Sequence, residues 1–177
     1  HLQNNEIIKS IEKAINFETN YLNECNQFNN NANDNDKTWC AGTSGSLIAA
    51  SVLKKVGLDV ISGYDKYLAL SKDRVLTSKP CRDQICCGII GLFFSMAAAA
   101  RALDDPILLR NSYQIRSKWI NETKNANELN LWSIYQNKFN PPGLFIGRAG
   151  VGLAMIHSNK NDWIEDLIIS SGYLTKS

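Results

Sequence analysis

A Gly-x-x-Gly step followed by an apolar run occurs three times in this chain, as AGTSGSLIAA, CGIIGLFFSM and IGRAGVGLAM. The glycine pairs are Gly42 and Gly45, Gly88 and Gly91, and Gly147 and Gly150, offset by 46 and then 59 residues. Glycine pairs suit turns that demand unusual backbone angles and helix ends that approach another chain segment closely. Each apolar run is preceded by a more polar, amphipathic stretch, so the repeated unit reads as an outer helix followed by an inner one. Such a unit cannot bury its apolar face alone. It must stack on its neighbours, in an open solenoid or a closed ring, and the expected fold class is all-α.

Along the chain, NEIIKSIEKAINFETNYLNECNQF reads as an amphipathic helix, with Ile7, Ile8, Ile11, Ala14, Ile15 and Leu22 at helical spacing. The polar run at 29–37 is a loop. A glycine-marked turn, TWCAGTSG, then opens the helix SLIAASVLKKVG, with Gly57 as its C-terminal cap. YDKYLALSKDRVLTS is a third, outer helix stopped by Pro80. ICCGIIGLFFSMAAAARALDD reads as a buried helix, apolar nearly all round. Asp105-Pro106 starts a further helix whose core face carries Leu108, Ile115 and Trp119. A short helix at 128–139, a last buried helix after the Pro-Pro-Gly turn, and an apolar segment at 162–170 complete the chain.

With 177 residues, 44% hydrophobic, the chain suffices for one domain with a real core. Nineteen basic residues against seventeen acidic leave a net charge of +2, scattered without a basic patch, which gives no reason to expect nucleic acid. The most apolar stretch is fifteen residues long and then meets Arg101, short of a bilayer crossing. No signal peptide is evident in the numbered sequence, and the expected location is the cytoplasm.

Five cysteines, Cys25, Cys40, Cys81, Cys86 and Cys87, are an odd number, which argues against a fully paired disulfide scaffold. Cys40 and the Cys86-Cys87 pair sit at the first glycine of two repeat turns. Equivalent turns of stacked repeats lie side by side, so these three thiols can converge. Three thiolates with an open fourth position suit Zn²⁺ and have the layout of a catalytic site. Two alternatives stay open: Cys81 as a fourth ligand in a closed structural site, and buried cysteines with an occasional disulfide. Cys25 reads as a helix residue with no chemical duty.

WCAGTSG, ICCGIIG and GLFIGRAGVGLAMI resemble the motifs of the lanthionine synthetase C-like cyclases, including the C-terminal cyclase domain of bifunctional lanthipeptide synthetases. Trp39 and Cys40 match the first motif, Cys86 and Cys87 the second, and Gly143, Gly147, Gly150 and Gly152 the third, and the resemblance spans nearly the whole chain. It implies an α/α toroid with zinc near the top of the central cavity. It also implies addition of peptide cysteine thiols to dehydroalanine or dehydrobutyrine, giving lanthionine or methyllanthionine rings. Cys40, Cys86 and Cys87 would hold the zinc, with Cys87 where most members have histidine, as in the family's three-cysteine branch. The non-catalytic alternative is a zinc-holding helical scaffold that binds a peptide or thiol compound.

The family's acid–base histidine lies upstream of the Trp-Cys motif. His1 and His157 are the chain's two histidines, and neither matches it. Three inner–outer pairs are visible, about three of the seven in the family's ring. Residues 1–177 are therefore expected to be the C-terminal, zinc-bearing part of one cyclase domain. The acid–base residues are expected in an upstream half, covalently joined or a separate chain, and the dehydrated precursor peptide is the expected substrate partner.

Overall fold

The structure is a computed structural model, which describes residues 5–27, 42–78, 82–124, 144–145 and 147–156, with the backbone alone at 25–27 and 124. Among the described residues six helices follow in order: α1 (Asn5–Gln27), α2 (Thr43–Lys55), α3 (Tyr64–Thr77), α4 (Ile89–Leu103), α5 (Pro106–Lys124) and α6 (Arg148–Ile156). No strand occurs among the described residues. The fold is all-α, with the alternation of outer (α1, α3, α5) and inner (α2, α4, α6) helices that an α/α toroid has. The loop at 29–37, the helix at 128–139 and the segment at 162–170 lie outside the described residues.

Helix α4 organises the rest. Twelve of its fifteen residues are buried, because its sequence offers no polar face and small residues Ala97–Ala100 let neighbours approach. α2 packs along one side of it and α5 along another, while α3 packs on α1 and α2. Ile48 of α2, Phe93 and Phe94 of α4, Trp119 of α5 and Val151 and Ala154 of α6 share one apolar cluster. Leu47, Val75, Leu92, Met96 and Leu108 form a second. In α5 the expected core face is the observed one: Leu108 and Trp119 are buried and Ile115 packs against both clusters.

In α1, Ile15, Thr19 and Leu22 point inward, with Ile8 and Ile11 packed partly against the same cluster. Ile7 and Ala14 of the expected stripe are exposed, as is Phe17. α1 therefore carries apolar residues on a second face. Arg74 of α3 donates to the Leu22 carbonyl at 3.1 Å, bringing a buried cation near the negative end of α1.

The helix ends follow local chemistry. Gly57 takes φ +75 after α2, and the bonds Gly57 N–H to Lys54 carbonyl (3.0 Å) and Leu58 N–H to Leu53 carbonyl (2.8 Å) form a Schellman cap, as the sequence predicts. Asp105 caps α5: its Oδ1 accepts from the N–H of Ile107 (3.1 Å) and Leu108 (2.9 Å), with Pro106 at the first helical position. α4 corrects the expectation at its start. The helix begins at Ile89, and Ile85–Gly88 form a turn ahead of it rather than its first residues. The physical reason lies in how that turn folds back.

Candidate metal centre

The segment Arg82–Gly88 folds back over the N-terminus of α4. No side chain caps that helix; the backbone does. The Ile89 N–H donates to the Arg82 carbonyl (2.8 Å), and the Gly91 N–H lies 3.3 Å from the Gln84 carbonyl. Two of the helix's otherwise orphaned donors are satisfied in this way. The backbone passes so close that a Cβ on Gly91 would run into the Ile85 carbonyl, and one on Gly88 into the Arg82 carbonyl. The Gly-x-x-Gly step is thus a steric requirement. The same geometry recurs at α6, where a Cβ on Gly150 would meet the Leu144 carbonyl. Ile85 and Leu144 each stand six residues before their second glycine.

At the turn lie Cys86 and Cys87, both half-buried thiols. The Cys87 thiol donates to the Cys86 sulfur at 3.3 Å. The Cys86 N–H donates across to the Phe145 carbonyl at 2.9 Å. Cys86 stands two residues before Gly88, and Phe145 two before Gly147. Neighbouring repeat turns are therefore hydrogen-bonded at equal register positions. The equal position in the first turn is Cys40, two residues before Gly42. Gly42 and Gly88 enter their helices in the same extended conformation, φ −148, ψ −164 and φ −140, ψ −172.

Trp119 fixes the turn from the outer ring. Its indole Nε1–H donates to Asp83 Oδ1 at 2.7 Å, while its ring packs tilted against Phe93, with the centroids 5.7 Å apart and the planes at 43°. Neither this clamp nor the Phe145 carbonyl was legible in the sequence. Asp83 and Trp119 are 36 residues apart and nothing local pairs them, and a backbone carbonyl carries no residue signature.

The sulfur pair fits a soft divalent cation. Two thiolates at about 2.3 Å from a tetrahedral zinc stand roughly 3.8 Å apart, a small side-chain rotation from the separation seen. Two sulfurs this close share a proton or a cation, since two bare thiolates would repel. No group of three or more metal-binding side chains occurs among the described residues. Cys40, Cys81, His1 and His157 lie outside those residues, and so does the side chain of Cys25.

An apolar cleft of about 720 Å³ opens between α1 and α2, lined by Ala14, Phe17, Tyr21, Ala49 and Leu53, and neither cysteine borders it. At its side Ser46 donates to Glu18 at 3.1 Å. Burial, with the nearby Glu18 charge, pushes the Tyr67 phenol up to about 12 against an opposing hydrogen bond to Ser46. Among the described residues no helix is long and apolar enough to cross a membrane.

A family model described as lanthionine synthetase C-like protein matches residues 1–167. Neither a search of curated proteins nor one of solved structures returns a match.

Proposed function

The chain belongs to the lanthionine synthetase C-like family, and on that premise we propose that it is the zinc-bearing part of a peptide cyclase that closes thioether rings. In this proposal Cys40, Cys86 and Cys87 are the zinc ligands, of the three-cysteine kind, and a fourth position is left to the substrate. Zinc held there would supply a borderline-soft Lewis acid able to keep an incoming peptide thiol ionised at neutral pH. The peptide sulfur then bonds to the β-carbon of dehydroalanine or dehydrobutyrine. The displaced π electrons pass to the α-carbon, which takes up a proton, and a lanthionine or methyllanthionine results.

The observation that carries the proposal is the bond from the Cys86 N–H to Phe145, which joins adjacent turns at the register position that Cys40 holds in the first. The protein's own work is to hold the thiols together. The fold-back of Arg82–Gly88, the Asp83–Trp119 clamp and the cross-turn bond restrain the Cys86-Cys87 backbone before any ion arrives. Proton delivery to the α-carbon needs a positioned acid, and we assign it to further helical pairs that complete the ring, in the same protein or a separate chain. A reducing cytoplasm, in which thiols persist, suits such a site.

The test is thioether formation on a dehydrated precursor peptide, with residues 1–177 alone and with the complementary helical pairs added. Activity should need both. Cys40→Ala should abolish it and Cys25→Ala should leave it nearly intact. Zinc binding and peptide binding without turnover in the completed assembly would favour the non-catalytic scaffold instead.

A further inference from the structure

We propose that the glycine-rich third turn, which supplies no metal ligand, is a positioning element of the metal centre, and that Gly150 is its key residue. The inference takes the Cys40, Cys86 and Cys87 centre as given. It concerns what holds Cys86 in place.

Two contacts bracket Cys86, and both end on the third repeat. Its own N–H donates to the Phe145 carbonyl at 2.9 Å. The residue before it, Ile85, is seated over Gly150: a Cβ there would lie 3.1 Å from Ile85 Cδ1. The same Cβ would run into the Leu144 carbonyl, and backbone cannot swing aside as a flexible side chain can. Leu144 and Phe145 are consecutive peptide units. Moving the first carbonyl away from α6 therefore moves the second, which is the acceptor for Cys86. Gly150 thus lets the 144–145 backbone lie down on α6, and that backbone then fixes the Cys86 peptide. The third turn has Phe145 where the other two have cysteine, so its contribution to the centre is a carbonyl and a seat rather than a sulfur.

Gly152 supplies the control. It lies one residue beyond Val151 in the same helix, and among the described residues a Cβ there meets nothing within 4 Å. Gly150→Ala and Gly152→Ala therefore make the same chemical change in one helix, with and without the steric consequence.

The experiment uses the full chain and three readouts: zinc affinity by chelator competition, the charge-transfer spectrum of the cobalt-substituted protein, and amide hydrogen exchange at Cys86 without metal. For Gly150→Ala, zinc affinity should fall at least about tenfold, in the range found when partners beyond the ligands are lost. The thiolate-to-cobalt bands should shift. The Cys86 amide should lose protection while the amides of Phe93 to Ala100 keep theirs. Gly152→Ala should match the wild type in all three. If Gly150→Ala does not fold, Ile85→Val carries the test, because it deletes the methyl that faces Gly150. Its zinc affinity should fall about threefold, less than for a whole outer partner. A folded Gly150→Ala, or Ile85→Val in its place, that binds zinc like the wild type and keeps Cys86 protected overturns the positioning role alone. A wild type that binds no zinc overturns the metal assignment itself.

Discussion

Removing the Asp83 carboxylate should loosen the cysteine turn and cost stability in a calculable amount. In the folded chain Asp83 Oδ1 accepts the Trp119 indole N–H at 2.7 Å, and Trp119 is 2% exposed. Asp83→Ala leaves that N–H inside the protein without this acceptor. A hydrogen bond to a charged group is worth about 1.5–3 kcal/mol when buried. This one is only partly buried, so the lower end applies, about 1.5 kcal/mol. For a chain of this size that is a fall in Tm of roughly 3–6 °C. Because the alanine also removes other interactions of Asp83, the assay should be a double-mutant cycle with Trp119→Phe, read by urea denaturation. Trp119→Phe keeps a ring against Phe93, whose centroid lies 5.7 Å from that of Trp119, but has no donor. The coupling energy should be about 1 kcal/mol or more. Additive effects, with a coupling inside about 0.3 kcal/mol, would show that the clamp contributes nothing.

Other consequences can be measured directly. Asp105 caps α5 and pairs with Lys72 of α3. Partial burial pushes its carboxyl up, but the N–H groups of Leu108 and Ile107 and the Lys72 ammonium outweigh that and hold it below its ordinary 3.8. A depressed folded-state pKa means that the contribution is present above pH 3.8 and is lost as pH falls through the lower folded value. Asp105→Ala should therefore cost about 1 kcal/mol at neutral pH, as for a lost N-cap, and the gap from wild type should narrow in acid unfolding below pH 3.8. At the alkaline end, Tyr64 and Tyr67 are both raised to about 12, chiefly by burial. Their contribution is complete below pH 10 and is lost as pH rises toward 12, so ultraviolet titration should show Tyr64 and Tyr67 ionising late, together with unfolding.

Much of the fold was legible because its signals are local. The Gly-x-x-Gly steps marked the inner helices, Gly57 ended α2, Asp105-Pro106 began α5, and the apolar run from Ile89 could be nothing but buried. The start of α4 was misread for a reason that is tertiary in kind. Ile85, Cys86 and Cys87 are apolar enough to extend the helical pattern, and only the fold-back of Arg82–Gly88 over Gly88 and Gly91 turns them into a loop. The apolar residues of α1 divide between two faces, so periodicity alone counted Ile7 and Ala14 into the core. At the candidate centre the pairing of Cys86 with Cys87 needed no structure. What holds the pair, a carbonyl on Phe145 and an indole on Trp119, is set by chain segments distant in sequence.

The central claim is a zinc bound by three thiolates with one position open. X-ray absorption at the zinc edge, on protein purified without chelator and checked for one zinc per chain, counts those donors directly. The expected result is three sulfurs at about 2.3 Å and one lighter oxygen or nitrogen neighbour. Four sulfurs would bring in Cys81 and mean a closed structural site, and protein that carries no zinc would contradict the assignment of Cys40, Cys86 and Cys87 altogether.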